Sequence, residues 1–102
     1  DAARVKCVAN PVPEILPEVA RKAGVVVVGT GRSDFPNQVN NALCYPGLFR
    51  GMLDHGVIKV TDEIKIRAAR AIAAFIEHPT ADKIIPNMFE KGLHEAVAKS
   101  VE

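Results

Sequence analysis

An uninterrupted run of four valines followed by a long polar loop is the feature that most constrains this chain. Residues 25–28 are all valine, and a run without polar alternation is typical of a strand buried on both faces, as in a parallel sheet covered by helices. Residues 31–41 then read Gly-Arg-Ser-Asp-Phe-Pro-Asn-Gln-Val-Asn-Asn. Binding residues concentrate on polar loops that a rigid scaffold holds in place. The pattern therefore predicts that this loop reaches a ligand site.

A second strand and a helix are predicted before the valine run. Residues 5–9 favour a strand that ends at Asn10, because Pro11 lacks the amide donor needed to continue a sheet. Residues 14–22 carry apolar side chains at helical spacing, and Gly24 supplies a stop. Strand, helix and strand form a βαβ unit with parallel strands. Since ligands of open α/β sheets bind beyond the carboxyl ends of the strands, Asn10 and the polar loop should share one edge.

Three further helices are predicted after the loop. One begins at Pro46, which suits a first helical turn, and ends near Gly56. A second follows Thr61 as its N-cap and runs to Phe75, and the last covers about residues 90–101. The fold class is thus α/β, with two strands and about four helices. Two strands are too few for an independent sheet, so the chain is expected to be a fragment of a larger α/β domain.

Composition excludes several functional classes. A formal net charge of +1 and few aromatic residues argue against nucleic-acid binding, and no apolar run approaches the length of a membrane span. Cys7 and Cys44 lack metal-ligand spacing and fit packed thiols in a reducing, cytoplasmic environment. The first residue, Asp1, is not an initiator methionine, which predicts a fragment or a processed chain.

Motifs for nucleotide phosphates or for hydrolysis are absent from this sequence. It has no Gly-x-Gly-x-x-Gly, P-loop, Gly-x-Ser-x-Gly or HExxH pattern, so neither catalytic nor metal-binding residues are assigned. Two interpretations of Arg32 are open, because it could pair with Asp34 or approach a cofactor. From the residues alone, Asn37, Asn40 and Asn41 are more often turn formers than ligands.

Three segments resemble the malic enzyme family, specifically its prokaryotic short form. They are residues 9–15, 31–41 and 49–54, which occur in the family's order and spacing, and residues 66–73 and 84–86 continue the match. The resemblance covers nearly the whole chain. It implies that the chain is one segment, the C-terminal part of a malic enzyme NAD(P)-binding domain with a Rossmann-like parallel sheet.

The resemblance also implies an activity and a set of binding residues. The family converts malate to pyruvate and carbon dioxide, with NAD or NADP accepting hydride and Mg or Mn polarising the substrate. Asn41 and Asn10 would bind substrate, and Asn10, Asn40 and Asn41 would bind cofactor. The catalytic Tyr and Lys and the metal carboxylates are expected outside this segment, which alone should be inactive. Expected partners are malate or pyruvate, the remainder of its own chain and further copies in a homo-oligomer.

Two alternatives remain open at this stage. The chain could be a non-catalytic, malic-enzyme-like module that binds a dinucleotide or another subunit through an exposed sheet edge. It could also belong to a different NAD-dependent dehydrogenase, because a fold alone does not define a function.

Overall fold

The computed structural model describes residues 3–7 and 12–101, and for residues 3–7 it describes the backbone. The chain forms two compact units, one of Asp1–Asn40 with His78–Ile85 and one of Asn41–Glu77 with Pro86–Glu102. The regular elements are β1 (Ala3–Cys7), α1 (Pro17–Lys22), β2 (Val25–Thr30), a short 3-10 helix (Asn41–Leu43), α2 (Tyr45–His55), α3 (Asp62–Ala74) and α4 (Leu93–Ser100).

The first unit contains the predicted strand–helix–strand arrangement. β1 and β2 pair in parallel, with Val5 opposite Val28 and Cys7 opposite Thr30. The end of the first predicted strand, including Asn10, lies outside the described residues. α1 begins at Pro17, three residues later than predicted, because proline suits the first helical turn, where its missing N–H costs no hydrogen bond.

Burial along β2 differs from the sequence prediction. Val28 and Thr30 are buried, with 2% and 0% of their surface exposed, whereas Val26 is 49% exposed. The expectation that the whole valine run is buried on both faces is therefore wrong for the described residues. The first half of the strand borders an open groove of about 490 Å³, which it shares with Pro79 and Ile84.

Local signals define the ends of α2 and α3 in the second unit. α2 stops at Gly56, whose φ of 66° is left-handed, a conformation that glycine adopts without steric cost. α3 starts after Thr61, whose hydroxyl accepts a hydrogen bond from the Ile64 amide at 3.2 Å. Both boundaries lie within one residue of those predicted.

α4 begins at Leu93, later than the predicted start near residue 90. A turn occupies the preceding residues: the Asn87 amide donates to the Glu90 carboxylate at 3.2 Å, and the Phe89 amide donates to the Asn87 side chain at 2.9 Å. Gly92 then enters the helix with a left-handed φ of 90°. Side-chain hydrogen bonds to the backbone thus take the place of a further helical turn.

Two glycines bring the backbones of α2 and α4 into direct contact. A Cβ atom placed on Gly47 would lie 2.6 Å from the His94 carbonyl oxygen, and one on Gly51 would lie 2.5 Å from that of Ala98. Glycine is required at both positions because no real Cβ packs that closely. All three helices contribute buried apolar side chains to this unit, and Leu43 and Val101 beside them are buried too: Leu43, Leu48, Ile64, Ala68, Leu93, Val97, Ala98 and Val101. No helix in the described part of the chain is long and apolar enough to cross a membrane.

Candidate functional site

The loop that follows β2 is closed at its base by Thr30. The Thr30 amide donates to the Asn37 carbonyl at 3.2 Å, and the Thr30 carbonyl accepts from the Val39 amide at 2.6 Å. The buried Thr30 hydroxyl also accepts a hydrogen bond from the Arg32 amide at 3.1 Å. Both arms of the loop are therefore hydrogen-bonded to Thr30. These bonds fix the positions of the Arg32 and Val39 backbones at the end of β2.

Hydrogen bonds of the Asn37 side chain anchor this loop. Its side-chain nitrogen donates to the carbonyl oxygens of Val28 at 3.0 Å and Ala81 at 2.8 Å, and its side-chain oxygen accepts from the Ile84 amide at 2.9 Å. The side chain is 6% exposed and the backbone φ is 57°, a left-handed conformation that asparagine tolerates better than most residues. Asn37 is thus a buried structural residue that ties the loop to β2 and to residues 81–84.

Two of the three asparagines that are predicted to bind ligands lie within the described residues. Asn40 is half-buried and directly follows Val39 at the closed end of the loop. Asn41 is exposed and begins the 3-10 helix, where its carbonyl oxygen accepts from the Cys44 amide at 3.0 Å. The two amides are neighbours in the chain, while Asn10 lies outside the described residues. The binding of ligands by these asparagines therefore stays a prediction.

Arg32 and Asp34 form a bidentate ion pair on the outer side of the loop. The Arg32 Nε donates to one Asp34 carboxylate oxygen at 2.8 Å, and Nη2 donates to the other at 2.5 Å. The guanidinium carbon also lies 5.1 Å from the centre of the Phe35 ring, within cation–π range. The hydrogen bond from Arg32 holds the pKa of Asp34 below its usual value, and the same bond raises the pKa of Arg32. Of the two sequence interpretations, the pairing of Arg32 with Asp34 is confirmed.

An apolar groove of about 490 Å³ lies in the second unit beside Cys44 and Tyr45. Tyr45 is 49% exposed, and its ring centre lies 5.8 Å from that of Phe49. Partial burial raises the pKa of the Cys44 thiol, so the thiolate forms less readily than in a free cysteine. The Cys44 thiol is therefore less reactive than that of a free cysteine, and Tyr45 packs against Phe49.

The residues that the structure describes form no cluster of metal-binding side chains. Residues 3–7 and 12–101 contain no group of three or more His, Cys, Asp or Glu side chains arranged to hold a metal ion. His94, the histidine on α4, has a buried Nδ1 without a hydrogen-bond partner among the described residues.

The sequence predicts Asn37 as a turn former, and its left-handed φ of 57° agrees, but its burial and its hydrogen bonds to Ala81 and Ile84 are not predicted. The close packing at Gly47 and Gly51 is not predicted either. The Gly-x-x-x-Gly spacing of the two glycines is a sequence signal for close helix packing. Asn37 carries no comparable signal, since its partners lie far along the chain.

Comparison with known proteins identifies the family of this chain. Residues 23–101 match the family described as "Malic enzyme, NAD binding domain". The chain belongs to the malic enzyme family, and the resemblance drawn from the sequence is confirmed.

Individual relatives agree with this assignment. The chain is 56% identical over 95 residues to the bifunctional malic/malolactic enzyme of Bacillus subtilis, covering 91% of this chain and 23% of the relative. It is 46% identical over 99 residues to the NAD-dependent malic enzyme of Geobacillus stearothermophilus, covering 95% and 20%. The crystal structure of malic enzyme from Pyrococcus horikoshii matches with a TM-score of 0.96 and 50% identity, over 99% of this chain and 23% of that one. The chain thus spans about a quarter or less of these relatives.

Proposed function

We propose that the complete polypeptide containing this segment converts malate to pyruvate and carbon dioxide, with NAD or NADP accepting the hydride and Mg or Mn assisting. The segment would be the C-terminal part of the NAD(P)-binding domain, with a Rossmann-like sheet completed by the rest of the chain. Family membership supports the reaction, and the parallel pairing of β1 with β2 supports the sheet.

One observation carries this proposal: consecutive amides, Asn40 and Asn41, follow an anchored loop at the carboxyl end of β2. This is the part of an open α/β sheet where ligands bind. A carboxamide both donates and accepts hydrogen bonds, so it can hold a carboxylate oxygen and a ribose or nicotinamide group without adding charge. The proposed role of the pair is to orient two reactants.

Each asparagine has a proposed part in that orientation. Asn41 and Asn10 would contact the substrate, and Asn10, Asn40 and Asn41 would contact the cofactor. The bound nicotinamide supplies the hydride acceptor, and the amides contribute by holding substrate and cofactor in a near-attack geometry. The anchoring by Asn37 supports this role, because a loop tied to the core loses little entropy when a ligand binds.

The remaining chemistry is assigned to residues beyond this segment. As in the family that the chain belongs to, the metal carboxylates and the catalytic Tyr and Lys would lie elsewhere in the polypeptide. These 102 residues alone would then be inactive. The free thiol of Cys44 is compatible with a reducing compartment, which supports the proposed cytoplasmic location, and we further propose a homo-oligomer.

Steady-state kinetics of the complete polypeptide test the proposal. Malate oxidation is measured with Mn and either NAD or NADP, for the wild type, Asn41→Ala and the matched loop control Ser33→Ala. We expect Asn41→Ala to lower kcat/KM for malate roughly 10- to 100-fold, the range expected for lost hydrogen bonds to a charged group, with an unchanged melting temperature. Ser33→Ala should match the wild type.

Other results would contradict the proposal in distinct ways. A wild type that binds the dinucleotide but does not oxidise malate would favour the non-catalytic module instead. A wild type that is active, with Asn41→Ala equally active, would remove Asn41 from the site while leaving the reaction in place.

A further inference from the structure

We infer that Arg32 binds an oxyanion of the reactants, either a malate carboxylate or a phosphate of the dinucleotide. The inference rests on the proposed function, and it adds a charged recognition residue to the uncharged amides.

Charge distinguishes Arg32 from the amides of the loop. Malate is a dianion at neutral pH and dinucleotides carry phosphates, whereas Asn40 and Asn41 are neutral. Within residues 31–41, Arg32 is the sole cationic residue. A guanidinium is well suited to this task, because its planar donors match the geometry of carboxylate and phosphate oxygens.

Arg32 and Asn40 lie on the two arms of the loop, and both arms are hydrogen-bonded to Thr30. The Arg32 amide is bonded to the Thr30 hydroxyl, and Asn40 follows Val39, whose amide is bonded to the Thr30 carbonyl. Arg32 and the residue before Asn40 are therefore both hydrogen-bonded to Thr30, the last residue of β2. A ligand held by Asn40 at this edge would lie near the arm of the loop that carries Arg32.

Contacts with Asp34 and Phe35 orient the Arg32 guanidinium. Asp34 binds Nε and Nη2, and Phe35 lies against the guanidinium, but the side chain stays 36% exposed. Within the described residues, no hydrogen bond occupies Nη1. The contacts thus fix the plane of the guanidinium and leave one edge of it available to an oxyanion, an arrangement that reduces the entropy lost on binding.

The other arginine–aspartate pairs lack this arrangement. Arg21 meets Asp82 and Arg50 meets Asp54 through one nitrogen each, and both arginine side chains are more exposed, at 44% and 69%. Neither arginine lies on the loop after β2. Arg21 belongs to the same unit as Arg32 and therefore provides a matched control.

The test compares Arg32→Gln, Arg32→Lys and the control Arg21→Gln in the complete polypeptide. KM is measured for malate at saturating nucleotide, and for NAD and NADP at saturating malate. We expect Arg32→Gln to raise at least one KM roughly 10- to 100-fold, because hydrogen bonds between charged groups are lost. Arg32→Lys, which keeps the charge without the planar donors, should give a smaller rise, and Arg21→Gln should stay within about twofold of the wild type.

The pattern of the KM values identifies the oxyanion. A rise for malate alone assigns a carboxylate, a rise for both nucleotides assigns the shared pyrophosphate, and a rise for NADP alone assigns its 2′-phosphate. An active wild type with all KM values unchanged in Arg32→Gln overturns the inference and leaves the proposed function in place. A wild type that does not oxidise malate overturns both.

Discussion

The side-chain oxygen of Asn37 accepts a hydrogen bond from the backbone amide of Ile84 at 2.9 Å, although the two residues lie 47 positions apart. The same side chain donates to Val28 and Ala81, so one buried amide joins the strand, the loop and a distant turn. Asparagine serves here because it offers donors and an acceptor in a short side chain and tolerates a left-handed backbone.

Removing the Asn37 side chain should destabilise the protein. Asn37→Ala leaves two carbonyl oxygens and one amide without their partner, which should cost on the order of 3 kcal/mol. We expect the melting temperature of the complete polypeptide to fall by several degrees. The neighbouring Gln38→Ala, which loses one long hydrogen bond of 3.4 Å, should have little effect.

Asn37→Gly separates the effect of the side-chain hydrogen bonds on stability from the effect of the left-handed backbone. Asn37→Gly keeps the left-handed backbone accessible but still loses the hydrogen bonds. It should therefore be destabilised almost as much as Asn37→Ala. A melting temperature equal to the wild type in both variants would show that the hydrogen bonds contribute nothing to stability.

Substituting alanine for Gly51 should also lower stability, contrary to the usual trend. Alanine is ordinarily favoured over glycine in a helix by about 0.5–1 kcal/mol. At this position the new Cβ would lie 2.5 Å from the Ala98 carbonyl oxygen, so α2 and α4 must separate, at a cost of about 1–3 kcal/mol. Thermal unfolding should show a lower melting temperature for Gly51→Ala, whereas Leu53→Ala, at a residue that is 77% exposed, should be nearly neutral. A Gly51→Ala variant as stable as the wild type would contradict the close contact.

Thr61 should contribute to stability as an N-cap. Thr61→Ala removes the hydroxyl that accepts from the Ile64 amide, and this loss typically costs about 1 kcal/mol. Thr61→Ser keeps the hydroxyl and provides the control. Hydrogen exchange should be faster at the Ile64 amide in the alanine variant and close to wild type in the serine variant. Equal exchange rates in all three proteins would exclude the capping role.

The ion pair on the loop should persist at acidic pH. An unfolded aspartate has a pKa of about 3.9, and the hydrogen bond from Arg32 lowers the pKa of Asp34 in the folded protein. The stabilisation is therefore present above the unfolded pKa and is lost as the pH falls through the lower folded pKa.

NMR titration of labelled aspartate carboxyl groups measures this effect directly. The Asp34 resonance, identified by its absence in Asp34→Asn, should titrate at a lower pH in the wild type than in Arg32→Gln. Identical midpoints in the two proteins would mean that Arg32 does not influence the carboxylate.

The sequence predicts elements whose signals are local. Thr61 and Gly56 define helix ends through hydrogen bonds or backbone angles within a few residues, and the structure agrees with both predictions. The family was also predicted correctly from the sequence, because motifs in a fixed order identify it without any knowledge of three-dimensional contacts.

Features that depend on distant contacts escaped prediction. The burial of Asn37 depends on Ala81 and Ile84, and no local pattern indicates that these residues meet. The exposure of Val26 likewise depends on which residues cover the strand, and the run of valines alone cannot reveal this. The ligand contacts of Asn10, Asn40 and Asn41 stay predictions, since they depend on bound molecules and on the rest of the polypeptide.

The backbone contact between α2 and α4 has a practical consequence for protein engineering. At Gly47 and Gly51 the nearest atoms are the backbone carbonyl oxygens of His94 and Ala98, so exchanging one side chain for another of similar volume cannot restore the fit. Chimaeras assembled from homologous enzymes should therefore inherit both helices from one parent, with recombination crossovers placed before α2 or after α4.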